Sequence, residues 1–457
     1  MERTPLPKLF CETMREMLSP VEAERLFASL DGESPTAVRH NPYKCADVKP
    51  AGEEIAWSRY GRYLDERPQF TLDTDFAGGA YYVQEPGSQF VDHILREQHV
   101  EQGRILDMCA APGGKTTIYS TAVGEDGLVV ANEYVRNRAV ILADNVRKWG
   151  LGNVVVTNND PSHLAAFRGW FDVVAVDAPC SGEGMFRKDD GARAEWSAEG
   201  VRMCATRQMS ILDEAWQTLR AGGVLIYSTC TFNRTENEGV VAQMMERYGD
   251  EIVEAEPIHT SEEWGVECGR VGAFQTFRFY PHRVQSEGFF VAVARKATDS
   301  GCARVTPKPR KRIMTDAVKA DVAELARWVK TPKQMHFAMV GDTLYGYAAE
   351  RYDEVRALAE SLTVIYSGVA MGQIFKGRLK PDWALSQYVG LRREAVACVE
   401  VSKEEALDYL RKRDISATQF DEGLNLVVHN GVALGFVKRI GARCNNMYPL
   451  SLRITNL

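Results

Sequence analysis

Arg104-Ile-Leu-Asp-Met-Cys-Ala-Ala-Pro-Gly-Gly-Lys-Thr116 reads as a short apolar strand, a turn and the start of a helix. Pro112, Gly113 and Gly114 permit a tight turn and a close backbone approach by a ligand. The helix N-terminus that follows favours a carboxylate or a phosphate. The spacing is neither Gly-x-Gly-x-x-Gly nor Gly-x-x-x-x-Gly-Lys-Ser/Thr, so dinucleotide and P-loop readings fit poorly. Downstream, strands are expected at 128–132, 154–157, 171–176 and 224–228, alternating with helices at 137–149 and 198–220. That alternation implies right-handed βαβ units in a parallel, Rossmann-like α/β sheet. A further strand is expected at 288–295, closing the domain.

The 457-residue chain is 45% apolar and 26% charged, which excludes a disordered tail, a collagen or a small disulfide scaffold. At roughly 150 residues per domain it has room for about three. Its longest apolar runs, such as Phe289 to Ala294, fall far short of the ~20 residues needed to span a bilayer. The first residues mix Glu2, Arg3, Lys8, Glu12, Arg15 and Glu16 among the apolar ones, which is no secretory signal. A cytoplasmic protein without a membrane partner is expected. The closest two of ten cysteines, Cys180 and Cys204, stand 24 apart, which excludes CxxC zinc and redox motifs. No metal site is expected, and the thiols should be reduced.

Three acids fall at the C-terminal ends of successive expected strands: Glu133, Asp160 and Asp177. Glu133 lies about 20 residues beyond the glycine turn, where an acid bonds the ribose hydroxyls of a nucleoside. One acid at a strand end is often a helix cap. Three beside a glycine turn point to one crevice, and a nucleoside without a pyrophosphate motif is read as S-adenosylmethionine. Cys180, in Asp177-Ala-Pro-Cys-Ser-Gly-Glu-Gly184, and Cys230, in Tyr227-Ser-Thr-Cys-Thr231, follow the fourth and fifth strands onto the same edge. Two thiols there point to nucleophilic chemistry. The reaction that joins a thiol to a methyl donor is alkylation of a pyrimidine at C5. A thiolate adding to C6 makes C5 nucleophilic enough to take a methyl group. A carboxylate near N3, protonated or sharing a proton, stabilises the adduct, and Asp177 is placed for that. The residues alone do not choose between Cys180 and Cys230 as the nucleophile.

Cys109-Ala-Ala-Pro-Gly-Gly-Lys115, Asp177-Ala-Pro-Cys-Ser-Gly-Glu-Gly-Met-Phe-Arg187 and Ser228-Thr-Cys-Thr-Phe-Asn-Arg-Thr-Glu-Asn-Glu238 resemble the motifs of the Nop/Sun family of RNA 5-methylcytosine methyltransferases. Within it the chain is similar to the bacterial RsmF (YebU) group, which acts on small-subunit ribosomal RNA. The likeness covers about Phe76 to Arg295, including Gly79-Ala-Tyr-Tyr-Val-Gln-Glu-Pro86 and Gly288-Phe-Phe-Val291. It implies a class I methyltransferase core. It further implies that Cys109, Ala110, Ala111, Pro112, Gly113, Gly114, Lys115, Glu133, Asp160 and Asp177 contact S-adenosylmethionine. Cys230 would be the C6 nucleophile, and Cys180 would help release the product. Pro161, directly after Asp160, departs from the family's segment.

Thr36-Ala-Val-Arg-His-Asn-Pro42 resembles the family's N-terminal accessory domain, and Gly431 to Pro449 the group's C-terminal PUA-like RNA-binding domain. The expected organisation is an accessory domain at 1–75, the methyltransferase core at 76–297, a linker at 298–313, an intermediate domain at 314–390 and the PUA-like domain at 391–457. Two short helices broken at Ser19-Pro20 should open the chain, followed by a strand at 36–41 and irregular chain to Phe76. A helix at 316–330 and a hairpin turning at Asn430-Gly431 should follow the linker. The net charge of −7 does not announce a nucleic-acid partner. Basic clusters do: Lys376, Arg378, Lys380, Arg392 and Arg393 face only Asp382 nearby, and Lys438, Arg439, Arg443 and Arg453 lie in an acid-free end. The expected partner is RNA. The same chemistry on transfer RNA or DNA, or a catalytically silent assembly factor, would share many of these features, although Asp177, Cys180 and Cys230 speak against the last.

Overall fold

The computed structural model describes residues 3–44, 52–299, 301 and 303–455. Cys45, and Ser300 and Cys302 of the expected linker, lie outside them. Five parallel strands form the centre of the main sheet: β1 (Arg104–Asp107), β2 (Leu128–Asn132), β3 (Val154–Thr157), β4 (Phe171–Asp177) and β5 (Leu219–Thr229). They are buried on both faces, so they read as near-continuous apolar runs. Side chains alternate across the pleat. Leu106, Val130, Val155 and Val174 fill one face, and Ile105, Val129, Val156 and Val173 the other. Helices α1 (Gly114–Val123) and α2 (Arg136–Trp149) cover the second face. Helices α3 (Ala198–Thr218) and α4 (Glu238–Tyr248) cover the first. α2 buries Ala139, Leu142, Ala143, Val146 and Trp149, an i, i+3, i+4, i+7 stripe.

β1 is the hinge of the topology. It pairs with β2 on one side and β4 on the other, with Leu106 opposite both Val130 and Val174. The order β3-β2-β1-β4-β5 therefore reverses at β1, which opens a crevice at the strands' C-terminal ends. Beyond β5 the sheet turns antiparallel. The strand expected at 288–295 is Phe289–Lys296, but it does not close the sheet, because Phe274–Phe279 and Glu267–Val271 extend it further. At the opposite edge Val364–Ser367 pairs antiparallel with β3. A segment well beyond the linker thus completes the main sheet, which is mixed rather than purely parallel.

The two N-terminal helices, Lys8–Met17 and Pro20–Leu30, break at Ser19, whose hydroxyl accepts from the Glu22 N–H at 3.3 Å. Their apolar face packs on the core: Phe10, Met14, Leu26 and Leu30 cluster with Phe186, Phe232 and Tyr280. The stretch expected to be irregular contains a strand, Gly61–Leu64, which joins Thr36–His40 and Tyr81–Val83 in a three-stranded sheet. Hydrogen bonds thus run between strands on either side of residue 75. The helix expected at 316–330 is shorter, Lys319–Leu325. Met314–Asp316 is instead drawn into a strand beside Met335–Val340, in a separate five-stranded sheet. In the C-terminal four-stranded sheet, Gly423–His429 and Val432–Ile440 form the hairpin at Asn430-Gly431. Both turn residues have positive φ, the geometry a two-residue turn needs.

Candidate active site

The strand ends converge on a cleft of about 740 Å³. Cys109, Ala111, Glu133, Asp160, Asp177, Cys180 and Cys230 all line it. Ala110, Pro112, Gly113 and Gly114 form the turn around the two lining residues. Gly113 has φ +115°, and a Cβ there would stand 3.0 Å from a Leu142 methyl, so only glycine fits without strain. Neighbouring side chains hold the turn: Arg138 Nη2 donates to the Ala111 carbonyl and Asn145 Nδ2 to that of Pro112, each at 2.8 Å. From the accessory sheet the buried Arg39 donates to Gln84 and Thr117 and stacks 4.5 Å over the Trp149 ring.

Glu133 is buried at the cleft wall, accepting from the Val135 N–H at 2.8 Å, with Arg138 3.4 Å away. Asp160 is exposed and caps the short helix Pro161–Leu164, accepting from the Ser162 hydroxyl at 2.7 Å and N–H at 3.0 Å. Those bonds hold its carboxyl below the usual range. Pro161 fits there as the first helical residue. Asp177 receives Lys115 Nζ at 2.8 Å on one oxygen and the Ser228 hydroxyl at 2.8 Å on the other. Burial disfavours the Lys115 ammonium, but Asp177 outweighs it and holds the lysine charged. The proton expected on or near Asp177 therefore has a carrier in Lys115, whose Nζ also stands 5.1 Å from the Phe289 ring centre. Behind them, burial pushes the Asp107 carboxyl up to about 7, although it accepts from Thr116 at 2.6 Å.

The two thiols meet, with Sγ atoms 3.2 Å apart. The meeting follows from register: Asp177 of β4 lies opposite Ser228 of β5, so cysteines three and two residues further on emerge side by side. The hydrogen bond with Cys230, reinforced by burial, pushes the Cys180 thiol well up. Gly184 lets the loops approach. Its N–H donates to the Cys230 carbonyl at 2.8 Å, and a Cβ there would stand 2.6 Å from that oxygen. Sequence reasoning missed Ser228 and the buried acids Glu183 and Glu236, which join the loops. Both acids lie within the quoted motifs, but nothing in their spacing marks them as buried. Among the described residues no cluster of His, Cys, Asp or Glu could hold a metal ion, and no helix is long and apolar enough to cross a membrane.

Residues 93–295 match the family described as 16S rRNA methyltransferase RsmB/F, residues 6–86 the N-terminal domain of 16S rRNA methyltransferase RsmF, and 396–454 the methyltransferase RsmF PUA domain. The ribosomal RNA small subunit methyltransferase F of Klebsiella pneumoniae is 32% identical over 89% of this chain and 86% of its own length. The chain belongs to this methyltransferase family. The protein of the same name from Shewanella piezotolerans is 31% identical over 88% of this chain and 85% of its own. Among solved structures, a methyltransferase homologue from Pyrococcus horikoshii aligns with a TM-score of 0.52 and 25% identity, covering 64% of this chain and 95% of that one. The archaeal NSun6 from the same organism, solved with SFG, shares the fold at a TM-score of 0.53 and 22% identity, over 65% of this chain and all of that one. The RsmB/F match spans β1 to β5, and with them both thiol loops and the glycine turn.

Proposed function

We propose that this protein transfers a methyl group from S-adenosylmethionine to C5 of a cytosine in small-subunit ribosomal RNA, through a covalent bond between Cys230 and C6. The observation that carries the reading is two thiols 3.2 Å apart at the strand edge, beside an ammonium–carboxylate pair. The donor set fits the cofactor. Glu133 offers a buried carboxylate for the ribose hydroxyls, Val135, Pro161 and Ile211 offer apolar surface for a base, and Asp160 stands at the rim. Cys109, Ala111 and Asp177 complete the wall. When bound, the cofactor supplies a methyl group activated by a positive sulfonium.

The chain's own residues handle the cytosine. The Cys230 thiolate adds to C6, and the electron pair of the C5–C6 bond moves toward C5 and the N3 side of the ring. Lys115, held charged by Asp177, donates to the N3 and O2 edge, where negative charge develops. After methylation the C5 proton passes to solvent, the C5–H electron pair restores the C5–C6 double bond, and the C6–S bond breaks with its electron pair returning to Cys230. Cys180, the thiol that keeps its proton, stands beside the departing sulfur. RNA is held by the PUA domain and the basic clusters. The test supplies methyl-labelled cofactor with naked small-subunit RNA, assembled subunits or transfer RNA, and maps the product by bisulfite sequencing. Labelled 5-methylcytosine in the ribosomal substrates is expected. Label only in transfer RNA, or on no cytosine, would overturn the proposal.

A further inference from the structure

Cys180 and Cys230 sit on separate loops, and each loop carries a buried acid that holds the other. Glu183, three residues after Cys180, accepts from the Phe232 N–H at 2.8 Å and the Asn233 N–H at 2.9 Å, both just after Cys230. Its other oxygen receives Asn233 Nδ2 at 2.9 Å and Trp196 Nε1 at 3.1 Å. Glu236, six residues after Cys230, reaches back. One oxygen accepts the Ser181 N–H at 2.9 Å and Gln208 Nε2 at 2.8 Å. The other accepts the Ser181 hydroxyl and Asn233 Nδ2, the latter at 2.8 Å. Both carboxylates are fully buried, and each receives four donors. Burying two acids so close together is costly, and a loop crossing needing only shape would not call for it.

The two acids do different work. The Cys230 loop is anchored by β5, by Gly184 and by Glu183. Glu236 acts on the residue directly after Cys180. We infer that Glu236 is a positioning residue that keeps the Cys180 thiol against Cys230, and that its loss separates the end of the reaction from its beginning. This rests on the proposed covalent route. Addition needs Cys230 and the Lys115–Asp177 pair, none of which Glu236 touches. Breaking the C6–S bond, in which the C5 proton passes to solvent, the C5–H pair restores the C5–C6 double bond and the C–S pair returns to Cys230, needs Cys180 in place.

The discriminating change is Glu236→Gln, which keeps the shape. Either amide orientation sets a donor against donors: against Ser181 N–H and Gln208 Nε2 in one, against Asn233 Nδ2 in the other. Neither partner can turn freely. Gln208 Nε2 also donates to the Pro179 carbonyl at 3.0 Å, and Asn233 Oδ1 accepts the Glu236 N–H at 2.9 Å. Ser181→Ala is the milder version, removing the hydroxyl alone. The measurement is a denaturing gel of protein incubated with cofactor and a cytosine-containing substrate RNA. Binding of S-adenosylhomocysteine by calorimetry reports on the fold, with Cys180→Ala and Cys230→Ala alongside. Glu236→Gln should accumulate the protein–RNA adduct at least tenfold above the parent with both cysteines intact, and bind S-adenosylhomocysteine within threefold of it. Ser181→Ala should do the same more weakly. If Cys180→Ala traps the adduct while both loop variants turn over without it, or lose adduct and turnover together, Glu236 is not a positioning residue for Cys180. If Cys180→Ala and the parent give no adduct at all, the covalent route itself falls, and this inference with it.

Discussion

Replacing Lys115 with methionine keeps the volume and removes the charge, which separates two roles for this residue. The family resemblance makes Lys115 a cofactor contact, whereas the geometry puts its ammonium on Asp177. At 2.8 Å, opposite unit charges attract by about 6 kcal/mol at an effective dielectric of ~20. Desolvation offsets most of that, and breaking a buried pair typically costs 3–5 kcal/mol because one charge is left alone (roughly, by mutagenesis). Asp177 is 35% exposed and keeps the Ser228 hydroxyl, so about 2 kcal/mol is expected here. The protein should fold. Loss of a donor aimed at developing negative charge costs about 10²–10³ in kcat. Lys115→Met should therefore lower single-turnover methyl transfer by about that factor, while S-adenosylhomocysteine binding by calorimetry stays within tenfold. Methyl transfer within threefold of the parent would refute the assignment. So would loss of cofactor binding in a folded variant, because it would make Lys115 a cofactor ligand.

Cys230→Ala should abolish methylation and adduct formation with cofactor binding nearly intact, whereas appreciable turnover by it and none by Cys180→Ala would exchange their roles. Cys180→Ala should leave a denaturation-resistant protein–RNA band that disappears in the double variant; persistence of the band would point to another residue. Burial, with a smaller push from Arg62, lowers His40 from 6.5 to about 4. Unfolding then takes up a proton between those values, so the stability from a neutral His40 is complete above pH 6.5 and lost as pH falls toward 4. That difference is worth ~3 kcal/mol at most, and hydrogen exchange in Thr36–His40 should be less pH-dependent in His40→Gln. Lys376, Arg378 and Lys380 are exposed on one hairpin. Changing all three to glutamine should flatten the slope of log affinity for RNA against log salt by about 2, at roughly 0.7 each, and an unchanged slope would remove them from the interface.

What the sequence revealed follows from local chemistry, and what it hid follows from distance. β1 to β5 are readable because parallel strands buried on both faces leave unbroken apolar runs. Glu133, Asp160, Asp177, Cys180 and Cys230 could be grouped because each follows such a run. Glu267–Val271 escaped notice because an exposed edge strand of Glu, Cys, Gly, Arg and Val carries no apolar alternation. Val364–Ser367 is strand-like, but nothing local says that it pairs with β3, some two hundred residues earlier. The strand Met314–Asp316, whose last residue opens the expected helix, goes unseen because its partner strand, not its own propensity, decides its state. The bonds Lys115–Asp177, Ser228–Asp177 and Ser181–Glu236 join residues about fifty or more apart, and only the assembled sheet brings them together.

The same register explains why the two cysteines look equivalent. Because Asp177 and Ser228 are neighbours across β4 and β5, a thiol shortly after either strand reaches the same point above the crevice. Position therefore does not name the nucleophile; the cysteine variants do. Cys180 Sγ lies 3.2 Å from Cys230 Sγ, and both that contact and burial disfavour its thiolate. A thiol that keeps its proton is a poor nucleophile. It is well suited to stand by while a neighbouring sulfur leaves carbon. The N-terminal helices pack beside both loops: Phe10 lies 5.0 Å from the Phe186 ring beyond the Cys180 loop and 6.4 Å from Phe232 beyond the Cys230 loop. One buried aromatic thus braces both loops from outside while the two carboxylates cross them from within. Relative motion of the thiols is restrained from two sides, as the proposed covalent route requires.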